Sequence, residues 1–212
     1  QLTNLVLDGC TELTVIDCKD NQLTELDTKD CINLSTLNCS SNYLEKLDFS
    51  SNTELYNLNC EDNYLTSLNL TKSRALTLLY CSVNELTSLD LSKNTELLQL
   101  YCAYNYLTSL DLSNCLKLNY LDHQYNICAV TAEQNEFDLS TLPNFDVSRV
   151  VEVVGGTLEG NILTAESEAV GYYYDCGLGV ALGFVLVIEN FCQHEWSEAS
   201  CTEGKTCSVC GA

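Results

Sequence analysis

The sequence predicts an α/β-type solenoid, mostly β, with a parallel concave sheet, closed by a small antiparallel β cap and followed by a Cys/His-rich tail. Three observations carry that prediction. A 21-residue period locks leucine, asparagine and cysteine in one phase through residue 127. The period then stops, giving way to apolar runs punctuated by Gly155-Gly156 and Gly160-Asn161. From residue 192 onward the chain changes again, to a polar segment dense in cysteine.

The repeat comes first. Leu23, Leu44, Leu65, Leu86 and Leu107 stand 21 residues apart, and Leu2 extends the series backwards. Asn21, Asn42, Asn63, Asn84, Asn105 and Asn126 keep the same interval, as do Cys18, Cys39, Cys60, Cys81 and Cys102, with His123 on the sixth beat. Several residue types held in one phase over six cycles define an internal repeat. Within each cycle, LxxLxC-xx-N reads as a short strand with two leucines and a cysteine inward. The asparagine falls at the turn, where its amide can satisfy backbone groups that would otherwise be buried unpaired. Strands about 4.8 Å apart make six coils a sheet roughly 25 to 30 Å long.

That pattern resembles the leucine-rich repeat. With its cysteine rungs and 21-residue length it resembles the internalin J-like, cysteine-ladder surface proteins of Gram-positive bacteria. The resemblance covers residues 2–127. It implies a secreted or wall-attached adhesion module, non-enzymatic, binding a surface or host protein or a glycan.

The ladder cysteines read as space-filling thiols. In-register rungs bring α-carbons within nominal disulfide range, but parallel Cα–Cβ bonds keep the β-carbons too far apart for relaxed S–S geometry. Five rungs also leave one thiol over, and buried cysteine behaves as a small apolar residue. Cys10, Cys31 and Cys115 share a second phase with Asn52, Ser73 and Asn94, which reads as a structural turn position. His123 reads as a hydrogen-bonded end rung. A column of Asp27, Asp48, Asn69, Asp90 and Asp111 reads as a solvated face whose carboxylates accept bonds from nearby Ser and Thr, in preference to a cation site.

Strand alternation turns the residues flanking the inward Leu and Cys outward. In the first three coils they are small and mostly polar: Asp17, Asn38, Asn59, Val15, Thr36, Asn57, Asp20, Ser41 and Asp62. In the last three they include Leu78, Tyr80, Tyr101, Tyr104, Tyr120 and Tyr125. Large apolar patches tend to be interaction sites, and tyrosine is a common anchor. These six residues are the candidate ligand-binding set, set against the alternative that the rings pack on each other or under the following domain. The sequence shows no Ser-His-Asp set, paired histidines or phosphate loop in the array. Its rival function is a spacer holding other domains away from the cell wall.

Residues 128–191 read as a β-rich cap domain with strands at 150–154, 161–165, 170–175 and 180–188, and a hairpin corner at Tyr174-Asp175-Cys176-Gly177. An open solenoid end exposes its core, so a cap is required. The tail, residues 192–212, offers Cys192, His194, Cys207 and Cys210 as soft ligands with Cys201 as a spare. Their spacing suits a zinc knuckle, and disulfides compete in a secreted setting.

Bulk composition agrees with an extracellular binding module. The formal charge of −21, from 30 acids against 9 bases, repels phosphate backbones and argues against nucleic acid. No stretch approaches the 18 apolar residues a membrane helix needs, so direct insertion is not expected. The chain begins at Gln1 and lacks methionine, which reads as a mature or excised form.

Overall fold

A computed structural model describes residues 1–192. The repeats build a six-stranded parallel sheet of three-residue strands: β1 (Val15–Asp17), β2 (Thr36–Asn38), β3 (Asn57–Asn59), β4 (Leu78–Tyr80), β5 (Gln99–Tyr101) and β6 (Tyr120–Asp122). Register follows the period without slippage, with Leu37 opposite Leu58, then Leu79, then Leu100. Those four leucines are fully buried. A slip of one residue would turn them to water and bury their polar neighbours, which is why the register is unique.

The ladder continues past the strands through the cysteines. The Cys60 N–H donates to the Tyr80 carbonyl at 2.9 Å and the Cys81 N–H to Tyr101 at 2.8 Å. Three residues on, each asparagine binds two coils together. Asn84 Oδ1 accepts from the Leu65 N–H at 3.0 Å, while Nδ2 donates to the Cys60 and Cys81 carbonyls at 3.0 and 3.2 Å. Asn42, Asn63 and Asn105 repeat this pattern. Between cysteine and asparagine the chain reverses through a left-handed residue, with φ of 53 to 58° at Asp20, Ser41, Asp62, Val83, Tyr104 and Tyr125.

Cys31, Asn52, Ser73, Asn94 and Cys115 form a second buried column. There Asn52 donates to the Thr28 and Cys31 carbonyls and accepts from the Thr28 hydroxyl. The acidic column caps turns: Asp48, Asp90 and Asp111 each accept the N–H two residues ahead, from Ser50, Ser92 and Ser113. These Asx-type bonds occupy one carboxylate oxygen each and fix the coil's return path.

One expectation is corrected. The solenoid is not of the α/β type, since the described residues contain no α-helix and only two 3-10 turns, Leu139–Thr141 and Val147–Arg149. A 21-residue coil that spends residues on a strand and several turns has no room for a stable helix. No helix of the described residues is long and apolar enough to cross a membrane.

Beyond the array the chain forms two further sheets. β7 (Ile127–Val130), β13 (Ala181–Ile188), β12 (Ala169–Asp175) and β9 (Val150–Val154) lie side by side in that order. β8 (Glu136–Asp138), β11 (Ile162–Ala165) and β10 (Gly156–Glu159) make the second sheet, in order β10-β11-β8. The cap is therefore mixed rather than purely antiparallel, because β7 pairs parallel with β13. Its inward side chains, Tyr172, Tyr174, Phe184 and Leu186, sit against the last coil. Tyr172 Oη donates to the Thr108 carbonyl at 2.6 Å, and the Leu112 N–H donates to Cys176 O at 2.7 Å. Arg149 pairs with Asp111 at 3.2 Å across the same seam. At the β12–β13 corner Gly177 has φ +83°, and an added Cβ would come 3.0 Å from Ser113 Cα, so only glycine fits.

The thiols are chemically quiet. Burial pushes Cys18 up to about 11 and Cys60 up to about 12, and raises Cys39 and Cys81 well above the ordinary thiol value. Cys39 and Cys60 point their sulfurs at the Asn59 and Tyr80 carbonyls, 3.5 Å away. A thiolate is the reactive form, so these cysteines resist alkylating reagents while the array is folded. Cys60→Ser is expected to cost about 1 to 3 kcal/mol, because a hydroxyl replaces a thiol in an apolar column. Urea denaturation checks the loss, and an unchanged midpoint would overturn the packing role.

Candidate binding face

Because Leu79, Leu100 and Leu121 point inward, β4, β5 and β6 present Leu78 and Tyr80, Gln99 and Tyr101, Tyr120 and Asp122 on the opposite face. Tyr80 and Tyr101 are register partners, and their rings stack at 4.6 Å with 17° between planes. Tyr120 comes from the neighbouring column and leans diagonally to stack on Tyr101 at 4.7 Å. Three coils thus contribute one continuous stack. Its spacing is the strand spacing itself, so the sheet holds the rings in place.

Tyr104 and Tyr125 stack at 4.6 Å and 15° as a separate pair. They are not strand residues, because alternation ends at the cysteine, where the chain turns. Both occupy the left-handed position, as does Val83. For a β-branched or bulky residue that conformation is strained. The first three coils fill it with Asp20, Ser41 and Asp62, residue types suited to turns.

The alternative that the rings pack on one another therefore describes part of what the structure shows. Even so, Tyr104, Tyr120 and Tyr125 remain 55%, 47% and 58% exposed, and Leu78, Tyr80 and Tyr101 are half-buried. Ring contacts of the stack run among its own members, whereas it is His123 that meets the cap, 6.3 Å from Phe184. Burial lowers the His123 pKa, against an opposing pull from Asp122, and the half-buried end rung lies against the cap as a neutral imidazole.

Sequence reasoning missed a further row. Tyr43, Tyr64 and Tyr106, each one residue past the asparagine, are exposed beside a furrow of about 560 Å³ that also touches Val83 and Tyr104. Their spacing of 21 or a multiple of it was the available signal.

Acidic groups border the tyrosines. Burial, with smaller contributions from Asp122 and Asp62, holds the Glu61 carboxyl above its ordinary value, although the Ser82 hydroxyl hydrogen-bonds it and offsets part of the rise. Burial and the neighbouring Tyr120 and Tyr80 likewise raise the Tyr101 hydroxyl. The raised Glu61 pKa means that the folded chain holds this proton more tightly than the unfolded one. That stability is present below the unfolded value, about 4.3, and is lost as pH rises through the folded value. At neutral pH the ionised carboxylate thus weakens the fold. Glu61→Gln is expected to stabilise by a few tenths of a kcal/mol after solvent screening, and the gain should vanish near pH 4. Denaturation at both pH values checks the sign, and a loss of stability at pH 7 would overturn it.

Of the tail set, Cys192 is buried and its backbone N–H donates to Asn135 Oδ1 at 2.9 Å. His194, Cys207 and Cys210 lie outside the described residues, as does Cys201.

A capped β-solenoid with a cysteine ladder and a tyrosine stack on its sheet defines the class of protein. The functional domain of InlJ from Listeria monocytogenes, which includes a cysteine ladder, has the same fold, at a TM-score of 0.56 and 21% identity. The match covers 88% of this chain and 64% of that one, so the chain spans less than two thirds of the solved domain. No protein-family model and no curated protein matches the sequence.

Proposed function

We propose that this chain is a non-enzymatic recognition module of a secreted or cell-surface protein, binding a protein or glycan through the tyrosine half of its sheet. The observation that carries the reading is the asymmetry along β1 to β6. Every coil needs its inward Leu, Cys and Asn to stack, yet no coil needs tyrosine outside. Four large side chains, Leu78, Tyr80, Tyr101 and Tyr120, nevertheless gather on the strands of three adjacent coils, with Tyr104 and Tyr125 at the turns that follow, in a chain with a net charge of −21. A spacer would be indifferent to that face. The likeness to InlJ supports a solenoid of the same architecture and leaves the partner to be found by experiment.

Replacing Tyr80 and Tyr101 together with alanine is expected to weaken attachment to an array of purified surface proteins and glycans by an order of magnitude or more, since such anchors contribute about 2 kcal/mol or more each when covered. The matched change at Asn38 and Asn59 should be tolerated. Equal loss at both pairs would place the site elsewhere. A large fall in melting temperature at the tyrosines would make them packing residues and leave the spacer reading in their place.

A further inference from the structure

We infer that the furrow beside the sheet is a second binding site, which takes the alkylated ammonium group of a methylated lysine into a gap over coil 4, the coil of Cys81. The site shares only Tyr104 with the sheet face and stands independently of that reading.

Two ring stacks end at that gap. Tyr43 and Tyr64 stack at 6.1 Å with 19° between planes, so the other face of Tyr64 is turned toward coil 4. From the opposite end Tyr125 covers one face of Tyr104 at 4.6 Å, and the remaining face of Tyr104 is turned back toward coil 4. In coil 4 itself the two columns hold Val83 and Glu85 in place of rings, and Tyr106 resumes the Tyr43 column in coil 5. Tyr64, Val83, Glu85, Tyr104 and Tyr106 all line the one furrow, of about 560 Å³. The Tyr64, Glu85 and Tyr106 N–H groups each donate at 2.9 Å to the coil before, to the Leu44, Leu65 and Leu86 carbonyls, so the three stand on consecutive rungs. At the strand spacing, Tyr64 and Tyr106 are therefore about 10 Å apart. A planar guanidinium or sugar ring fills only roughly 7 to 8 Å between two rings, twice a carbon–carbon contact. A tetrahedral trimethylammonium meets a ring about 5 Å from its nitrogen, one C–N bond plus one carbon contact, and so spans the opening. That lies inside the reach of about 6 Å over which a ring face holds a cation.

The backbone supplies a second observation. Val83 and Tyr104 hold φ of 56 and 54°, at the position where the first three coils place Asp20, Ser41 and Asp62. Packing does not explain these costly choices, since both side chains are about half exposed. Strain of this kind persists where function asks for the side chain.

Charge selects the guest. Asp20, Asp62 and Glu85 line the furrow, and no lysine or arginine does. Among the described residues the Glu85 carboxylate has neither a hydrogen bond nor an ion pair. Lys46 shares a smaller recess with Tyr64 and Glu85 without pairing to the carboxylate. A bare lysine ammonium is strongly hydrated and holds its water in so open a site. Methylation removes that shell and lays apolar carbon on the rings while the charge stays. The acidic furrow repels an anionic carrier, so phosphocholine, which sets a phosphate beside the same cationic group, is the poorer guest. A lysine brings the group on an uncharged four-carbon stem.

The test uses the full chain, one synthetic peptide framework carrying trimethyllysine, lysine or glutamine at the same position, and phosphocholine. The trimethyllysine peptide is expected to bind with a Kd of about 1 mM or tighter, about fivefold more tightly than the lysine peptide and about tenfold more tightly than the glutamine peptide. Tyr64→Ala should weaken it about tenfold and Tyr64→Phe less than about twofold, because the ring face and not the hydroxyl makes the contact. Glu85→Gln should weaken it about fivefold, whereas Asp27→Asn, which removes the same charge from the outer column, should leave it unchanged. Melting temperatures should hold, since the replaced side chains are exposed or half-buried, and Tyr106→Ala tests the facing wall independently. No binding of the trimethyllysine peptide at about 10 mM, equal binding of the lysine peptide, or binding indifferent to Tyr64 and Glu85 would overturn the inference. Phosphocholine binding more tightly than the trimethyllysine peptide would overturn the assignment of a lysine as the carrier.

Discussion

Asn84→Ala is expected to destabilise the array by about 3 to 5 kcal/mol, more than any single change on its surface. The amide sits inside the stack with every bond directed at backbone. Without it the Leu65 N–H loses its acceptor, and the Cys60 and Cys81 carbonyls lose a shared donor. Each buried polar group left unmade costs about 1 to 3 kcal/mol, and alanine can replace none of them. The loss also falls between coils, where a solenoid has only nearest-neighbour contacts to hold it together. Asn21→Ala offers the control. That residue serves Leu2, Cys18 and Lys19, reaches the preceding segment through one bond only and is partly exposed, so its loss should be less than half as large. Urea denaturation of the two variants decides the matter, and equal losses would show that the amides do not join the coils.

The second large effect lies at the seam. Phe184→Ala should cost about 3 to 5 kcal/mol, the range for deleting a buried aromatic ring from a packed core. Phe184 lies 5.9 Å from the Tyr172 ring, 6.3 Å from Tyr174 and 6.3 Å from His123, so it joins the cap's interior to the last rung. Removing it should loosen the seal over the ladder's end. Cys102 would then be alkylated in the native state well before Cys60, although both are fully buried in the intact chain. A loss below about 1 kcal/mol, or unchanged protection of Cys102, would show that the array closes without the cap.

How far the molecule could be read from its residues depended on repetition. Six coils give six independent statements of each position, so strands, register, inward leucines and the asparagine bonds followed from the period. The cap has no such redundancy. Its apolar runs at 150–154, 170–175 and 180–188 announced β9, β12 and β13, but β8 and β10 are three or four residues long and largely polar. β7 was hidden because Ile127 follows the last asparagine of the period and then leaves the array for β13. At the candidate site, alternation located Leu78, Tyr80, Tyr101 and Tyr120 correctly on the sheet. It misassigned Tyr104 and Tyr125, because a rule of period two holds only while the chain stays extended. Asp20, Ser41 and Asp62 in the same column carried the warning that a turn lay there. In the second column, polar Asn52, Ser73 and Asn94 concealed full burial; the amides of Asn52 and Asn94 donate to carbonyls of the chain itself, and the Ser73 hydroxyl is buried without a partner.

The identical register of every coil has a consequence for inheritance. Because each strand meets its neighbour after 21 residues, a gene that loses or gains 21 codons within the array deletes or adds one whole coil. The cut ends rejoin at equivalent points, so cysteine still falls on cysteine and amide on amide. Recombination between neighbouring repeats can therefore lengthen or shorten such a protein without passing through an unfolded intermediate generation. The last coil is fixed to the cap by Tyr172, Arg149 and Phe184, and coils 4 to 6 keep their tyrosines through such events when the exchange falls among the earlier coils. Lineages can thus vary the reach of the molecule while the surface at its far end is inherited intact.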